Sequence, residues 1–254
     1  MARDKEIKKR AKAQYAGMAS QGHSSCPMSR SLAERVERAV SLGYTEQELA
    51  SVPAEAVMGM GCGNPAAFAK LREGETVLDL GCGGGLDAFL ASRKVGGKGK
   101  VIGVDMTPEM IEKARKNAAK GRYRNVEFKL AEIEKLPVAD ESVDVIISNC
   151  VINHSPDKLG AFREACRALK HNGRMLISDL VISGNIPGED LRGLDEAWAA
   201  WFAAEPLAER EYLDTINRAG FRAVATVARQ PFDCPGMDDK LKGKLVSVQV
   251  DAHK

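Results

Sequence analysis

Val77-Leu-Asp-Leu-Gly-Cys-Gly-Gly-Gly85 decides the fold. Thr76 to Leu80 is an apolar run of strand length, and glycines follow it at 81, 83 and 85. Glycine directly behind a first strand lets the backbone approach a ligand at the strand's carboxyl end. The dinucleotide pattern G-x-G-x-x-G, counted from Gly81 and Gly83, needs glycine at 86, where the chain has Leu86. The register is G-x-G-x-G instead, with Asp79 two residues ahead. A carboxylate there is poorly suited to a pyrophosphate and well suited to a ligand carrying an ammonium group. The plainer alternative is a structural glycine turn with acids at helix starts.

Working outward, Leu86 to Val95 suits a helix and Lys100 to Val104 a second strand. Asp105 follows, where a carboxylate can take both hydroxyls of a ribose. Thr107-Pro108 gives an N-cap and a first-position proline, leading a helix to about Lys120. Strands are expected over Asn125 to Leu130 and Val143 to Ser148, then a helix over Ser155 to Leu169. Asn172-Gly173 is expected to turn the chain into a fifth strand, Arg174 to Asp179. This alternation predicts an α/β fold: a doubly wound, mostly parallel sheet with helices on both faces.

Upstream, Ser31-Leu-Ala-Glu34 is a capping box, with Leu32, Val36, Ala39 and Val40 at helical spacing behind it. Thr45-Glu-Gln-Glu48 opens another helix, and Met58 to Pro65, with three glycines and a proline, is a loop. Downstream, residues 190–219 look helical, and Phe221 to Val227 and Leu245 to Val250 look like closing strands. Three regions result: an N-terminal helical extension over 1–73, a core over 74–182 and a C-terminal helix and strand addition over 183–254.

The chain has 254 residues, 44% hydrophobic and 28% charged, which are ordinary globular values. Net charge is +2, too small for a nucleic-acid surface. The basic start MARDKEIKKRAK reads as a solvated helix face. No apolar leader or membrane-length stretch is present, so a cytoplasmic chain with no membrane partner is expected.

Six cysteines, at 26, 62, 82, 150, 166 and 234, form no C-x-x-C, so a thiol site must be assembled in space. Ser148-Asn-Cys-Val-Ile-Asn153 puts Cys150 just beyond the fourth strand. A cysteine is an odd base but a sensible holder of a soft, thiophilic centre. Cys62 could fold over the same mouth; a buried Cys150 with an incidental Cys62 is the other reading. Cys82 is expected to pack under a ligand and Cys166 in the core. His154 is near enough in sequence to tune Cys150, and Asp179 reads as structural.

Over about residues 74–182 the ordered motifs resemble the class I S-adenosylmethionine-dependent methyltransferases. That resemblance places Asp79, Gly81, Cys82, Gly83 and Gly85 around the methionyl part of S-adenosylmethionine, Asp105 on the ribose and Met106 on the adenine. It puts Glu132 and Ile133 at the adenine rim and Asn149 at the reacting end. Gly61-Cys-Gly-Asn-Pro65, Asp105-Met-Thr-Pro-Glu-Met110, Glu132-Ile-Glu-Lys-Leu-Pro137 and Ser148 to Lys158 resemble, more closely, the arsenite methyltransferase family. The implied function is methylation of trivalent arsenic held by the thiolates of Cys62 and Cys150, with Cys26 able to join. A thiol reductant such as glutathione or thioredoxin, a monomeric chain and binding that releases protons are the further implications.

Two departures from the family stand out. The family's third arsenic-binding cysteine follows the fifth strand, yet no cysteine lies between Cys166 and Cys234. Trp201 or a neighbour occupies the corresponding stretch, and His154 replaces a usual leucine. A methyltransferase for an apolar quinone- or sterol-like acceptor, lined by Trp198, Trp201 and Phe202, is the competing enzyme. A metalloid-sequestering module is the non-enzymatic alternative.

Overall fold

The glycine loop sits at the centre of a sheet because the strand before it is buried on both faces. In the computed structural model, β1 (Thr76–Leu80) has only its first residue partly exposed, as expected of a near-continuous apolar run between parallel neighbours. The structure describes residues 2–21, 31–184, 186, 189, 194, 204, 206–233 and 237–254.

Helices α1 (Ala2–Gln21), α2 (Leu32–Ser41), α3 (Glu46–Ala50) and the short α4 (Pro65–Phe68) precede β1. The alternating core follows: α5 (Leu86–Val95), β2 (Lys100–Asp105), α6 (Pro108–Gly121), β3 (Val126–Leu130), β4 (Val143–Asn149), α7 (Lys158–Ala168) and β5 (Leu169–Ile182). Helix α8 (Glu209–Arg218) and strands β6 (Arg222–Pro231) and β7 (Leu245–His253) close the fold. The strand order is β3-β2-β1-β4-β5-β7-β6. The first five strands run parallel, and β7 is inserted antiparallel between β5 and β6. The order reverses between β1 and β4, which opens a crevice at the carboxyl ends of those strands.

Both expected capping boxes form, Ser31 with Glu34 and Thr45 with Glu48. Other expectations need correction. Asn172-Gly173 does not turn into a new strand: β5 is continuous from Leu169, with Asn172 at φ 64° and a register shift against β4. Asparagine tolerates the left-handed region, so it serves as an irregularity inside a strand. Helix α7 starts at Lys158 rather than Ser155, capped by the Asp157 side chain accepting from the Gly160 N–H. Pro156 disfavours helix at Ser155, and Ile152–His154 form a separate 3₁₀ turn.

The N-terminal helix is not merely solvated. Ile7, Ala11 and Ala19 are buried, and Lys8 and Lys12 donate to Glu132 at 2.8 and 3.1 Å. Leu32 and Val40, expected on the packed stripe of α2, are instead exposed. Of the stretch 190–219 expected to be helical, Glu209–Arg218 forms α8, and most of 190–205 lies outside the described residues. No helix among the described residues is long and apolar enough to cross a membrane.

Candidate functional site

A cleft opens at the strand reversal, lined by Asp79, Gly81 to Gly84, Asp105, Met106, Asn149 and Cys150, with Tyr15 and Lys8 of α1 on its outer wall. Glycine is required at 81: its φ is +68°, and a Cβ there would lie 2.2 Å from the Val151 side chain. Asp105 ties the loop to β2, its Oδ2 accepting from the Gly83 N–H at 3.0 Å and its Oδ1 from the Thr107 N–H at 2.8 Å.

Three carboxylates crowd this side. Asp79 is 2% exposed, and its Oδ2 is buried with no partner among the described residues. Burial, then the charges of Asp87 and Asp105, push its carboxyl well above the usual range. Burial raises Asp87 to about 6, against the hydrogen bonds it accepts from Tyr44 and Asn149. A buried acceptor left open among like charges calls for a cationic donor. The ammonium and sulfonium of S-adenosylmethionine match that demand, so the donor set fits the cofactor.

The second half of the site lies beyond Asn149. Cys150 follows the end of β4 at φ 59°, a conformation that costs a non-glycine residue energy and recurs at functional positions. Its N–H donates to the Ser178 carbonyl at 2.7 Å. Cys62 arrives from the loop before α4 and is fully buried. Its peptide is pinned on both sides: the N–H donates to Asn149 Oδ1 at 2.9 Å, and the carbonyl accepts from Ser247 Oγ of β7 at 2.6 Å. Asn149 Nδ2 also donates to the Gly63 carbonyl, the Tyr44 hydroxyl and Asp87. Gly61 must be glycine for this approach, since a Cβ would meet Asn149 Oδ1 at 2.7 Å.

Both thiols are free. Their sulfurs and a carboxylate oxygen of Asp179 all lie within 4.8 Å of one another. The hydrogen bond with Cys62, then burial, push the Cys150 thiol well above its usual range. Leu180, Phe232, Met237, Leu241 and Leu245 pack around the pair. Asp179 is fully buried, and burial raises it to about 6 against hydrogen bonds from Leu180, Tyr212 and Asn153. His154 bonds through Nε2 to the Tyr15 hydroxyl at 2.8 Å. Burial, with the Lys158 charge adding to it, lowers His154 to about 4, so it is neutral at pH 7.

Of the residues expected at the cofactor, Asp79, Gly81, Cys82, Gly83, Asp105, Met106, Ile133 and Asn149 line the cleft. Gly85 and Glu132 do not. Gly85 stands at the N-cap of α5 at φ 96°, where a Cβ would meet Phe89, and Glu132 is held in ion pairs by Lys8 and Lys12. Cys62 and Cys150 meet as expected. Cys26, Cys234, Trp198, Trp201 and Phe202 lie outside the described residues. Cys166 is half-buried rather than fully buried, packed against the core from α7 beside Gly220.

Sequence reasoning missed Asp179 as a neighbour of both sulfurs. Its signal is the polar pair Ser178-Asp179 inside the apolar run Met175 to Ile182, since a buried acid in a two-faced buried strand must have partners. It also missed Tyr15, Lys8, Tyr44 and Asp87, which reach the cleft from distant segments and carry no local pattern.

The methyltransferase domain family matches residues 71–220. The arsenite methyltransferase of Halobacterium salinarum is 44% identical over 242 residues, 94% of this chain and 61% of the relative. That of Homo sapiens is 42% identical over 131 residues, 48% of this chain and 35% of the relative. The chain thus spans less than two thirds of the length of these curated relatives. The crystal structure of an arsenic(III) S-adenosylmethionine methyltransferase from Chlamydomonas reinhardtii aligns with a TM-score of 0.64 at 31% identity, covering 86% of this chain and 72% of that one. With the two-thiol chamber beside an acid-lined glycine loop, these likenesses show that the chain belongs to the arsenite methyltransferase family of class I S-adenosylmethionine-dependent methyltransferases.

Proposed function

We propose that this chain transfers a methyl group from S-adenosylmethionine to trivalent arsenic held by Cys62 and Cys150. The observation that carries the reading is the meeting of two buried, free thiols from distant segments at the inner end of the cofactor cleft. Asp79 would take the ammonium group, Asp105 the ribose hydroxyls, and Met106 with Ile133 the adenine. The bound cofactor supplies an electrophilic sulfonium methyl, which the arsenic lone pair can accept.

The chain's own contribution is orientation. Asn149 touches both halves, fixing the Cys62 peptide while bonding Asp87 beside the cofactor side. Proximity of this kind accounts for most of the acceleration when the attacking atom needs no base. Written on protonated thiols, capture of arsenous acid takes each thiol proton away with a departing hydroxide, as water. Binding of that acceptor is therefore balanced in protons, unlike the proton release expected from sequence. Methyl transfer raises arsenic by two electrons in oxidation state, and a small-molecule or protein thiol returns it to the trivalent form. The residues named all come from one chain, so a monomer suffices.

The test is transfer of labelled methyl from S-adenosylmethionine to arsenite and to monomethylarsonous acid, with glutathione present. Wild type should produce methylated arsenic, and Cys62→Ser and Cys150→Ser should each reduce it to background. Tight cofactor binding with no transfer to either acceptor would overturn the reading.

A further inference from the structure

The thiol pair has a third, charged wall. Asp179 is 0% exposed, and one of its carboxylate oxygens is within 4.8 Å of both sulfurs. Its hydrogen bonds can be counted. Oδ1 accepts from Asn153 Nδ2 at 2.8 Å and from its neighbour's N–H, Leu180, at 2.9 Å. Oδ2 accepts from the Tyr212 hydroxyl at 2.9 Å. An ionised carboxylate has about four acceptor positions. Three are filled among the described residues, and the open one is on Oδ2.

Resting on the arsenic reading above, we infer that Asp179 is a specificity-determining residue that completes the site by accepting a hydrogen bond from a hydroxyl on the captured arsenic. Two As–S bonds form as arsenous acid meets the two thiols, two As–O bonds break, and two waters leave with the thiol protons. One As–OH remains, with no change of oxidation state. That hydroxyl is a donor, and Asp179, with one oxygen within 4.8 Å of both sulfurs and one acceptor position open among the described residues, is the acceptor offered to it. Monomethylarsonous acid bound by the same two sulfurs carries a methyl group there instead. A methyl group cannot donate, so it would leave the remaining acceptor position of a buried carboxylate unfilled. A buried polar group left unpaired is what lets a site reject an analogue lacking a hydroxyl. The site thus favours inorganic arsenite over its methylated product, and the first methyl weakens retention.

The experiment measures binding directly, without turnover. Protection of Cys62 and Cys150 from alkylation is read by mass spectrometry while arsenite or monomethylarsonous acid is titrated into the full chain. The same two acceptors are then compared by kcat/KM. Wild type should prefer arsenite by about tenfold or more, the scale of one hydrogen bond to a charged group. Asp179→Asn keeps the side chain's shape and replaces the open acceptor by an N–H, and should bring the preference to within about threefold while cofactor affinity holds. Tyr212→Phe leaves the carboxylate in place and should retain the preference, which covers the case of an Asp179→Asn chain that fails to fold. Wild type with no preference, or with a preference for the methylated acid, overturns the inference. So does an Asp179→Asn chain that keeps the full preference, or protection of Cys26 or Cys234 by arsenite, which would make the third ligand sulfur. Failure of both arsenicals to protect Cys62 and Cys150 would instead bring down the arsenic reading itself.

Discussion

The two halves of the site meet at Asn149 and are built on opposite principles. The cofactor side leaves a buried carboxylate oxygen of Asp79 without a partner among neighbouring acids. The thiol side bonds the Cys62 peptide at both ends and holds its two sulfurs close together. One half is short of positive charge until a ligand arrives; the other is short of a thiophilic atom and of one donor to Asp179. The difference teaches that the cofactor side works through charge and the thiol side, under the proposed function, through covalent As–S bonds, so each can be broken without the other.

Cys150→Ser is the largest test of that separation. Arsenic methylation should fall to background while cofactor affinity, measured calorimetrically, stays near wild type. A parallel loss of cofactor binding would mean that the halves are one structural unit.

His154 stands on the border, against Tyr15 of the outer wall and near Cys150 in the chain. With a folded value of about 4 and an unfolded one of about 6.5, the unfolded state binds the extra proton between those limits. The stability it contributes is present above about pH 6.5 and is lost as pH falls toward 4. Relative to wild type, His154→Gln should therefore be more favourable at pH 4 than at pH 7, by about 3 kcal/mol in urea unfolding. A difference that does not change with pH would place the histidine in a solvated setting.

Asp79→Asn sharpens the contrast from the other direction. Cofactor affinity should drop about tenfold to a hundredfold, with protection of Cys62 and Cys150 by arsenite unchanged. Since the carboxyl is raised and its ionised form is the one that attracts an ammonium, wild-type affinity should also increase with pH, and the variant should lose that slope. The smallest expected effect is Tyr15→Phe, which removes the bond to His154. It should cost about 0.5–1.5 kcal/mol of stability, and a loss of cofactor affinity beyond that would make α1 a binding element.

The same contrast explains what could be read beforehand. The β1 boundaries, the glycine register and Asp79 were legible because the cofactor half is written in contiguous residues behind one strand, where period and glycine position carry the geometry. Helix α5 was likewise legible over its whole length. The pairing of Cys62 with Cys150 came through family resemblance, because 88 positions of chain separate them and no spacing rule spans that gap. Asp179 went unread for a related reason: its meaning depends on β5 continuing to Ile182, past the point where the polar pair Ser178-Asp179 suggests an end. Lys8 and Tyr15 belong to a helix whose basic composition resembles a solvated face, and only tertiary contact reveals that two of its lysines are spent on Glu132.

The bond from Ser247 to the Cys62 carbonyl joins residues 185 positions apart, and it has a consequence for the order of assembly during synthesis. Strand β7 must emerge from the ribosome and slip between β5 and β6 before that carbonyl finds its donor. A nascent chain halted at β5 already carries the glycine loop, the acids and both cysteines, yet its Cys62 carbonyl has not met the Ser247 hydroxyl. Under the proposed function, a finished arsenic chamber is in this way deferred until the sheet is closed, and truncated or stalled chains should retain the metalloid poorly.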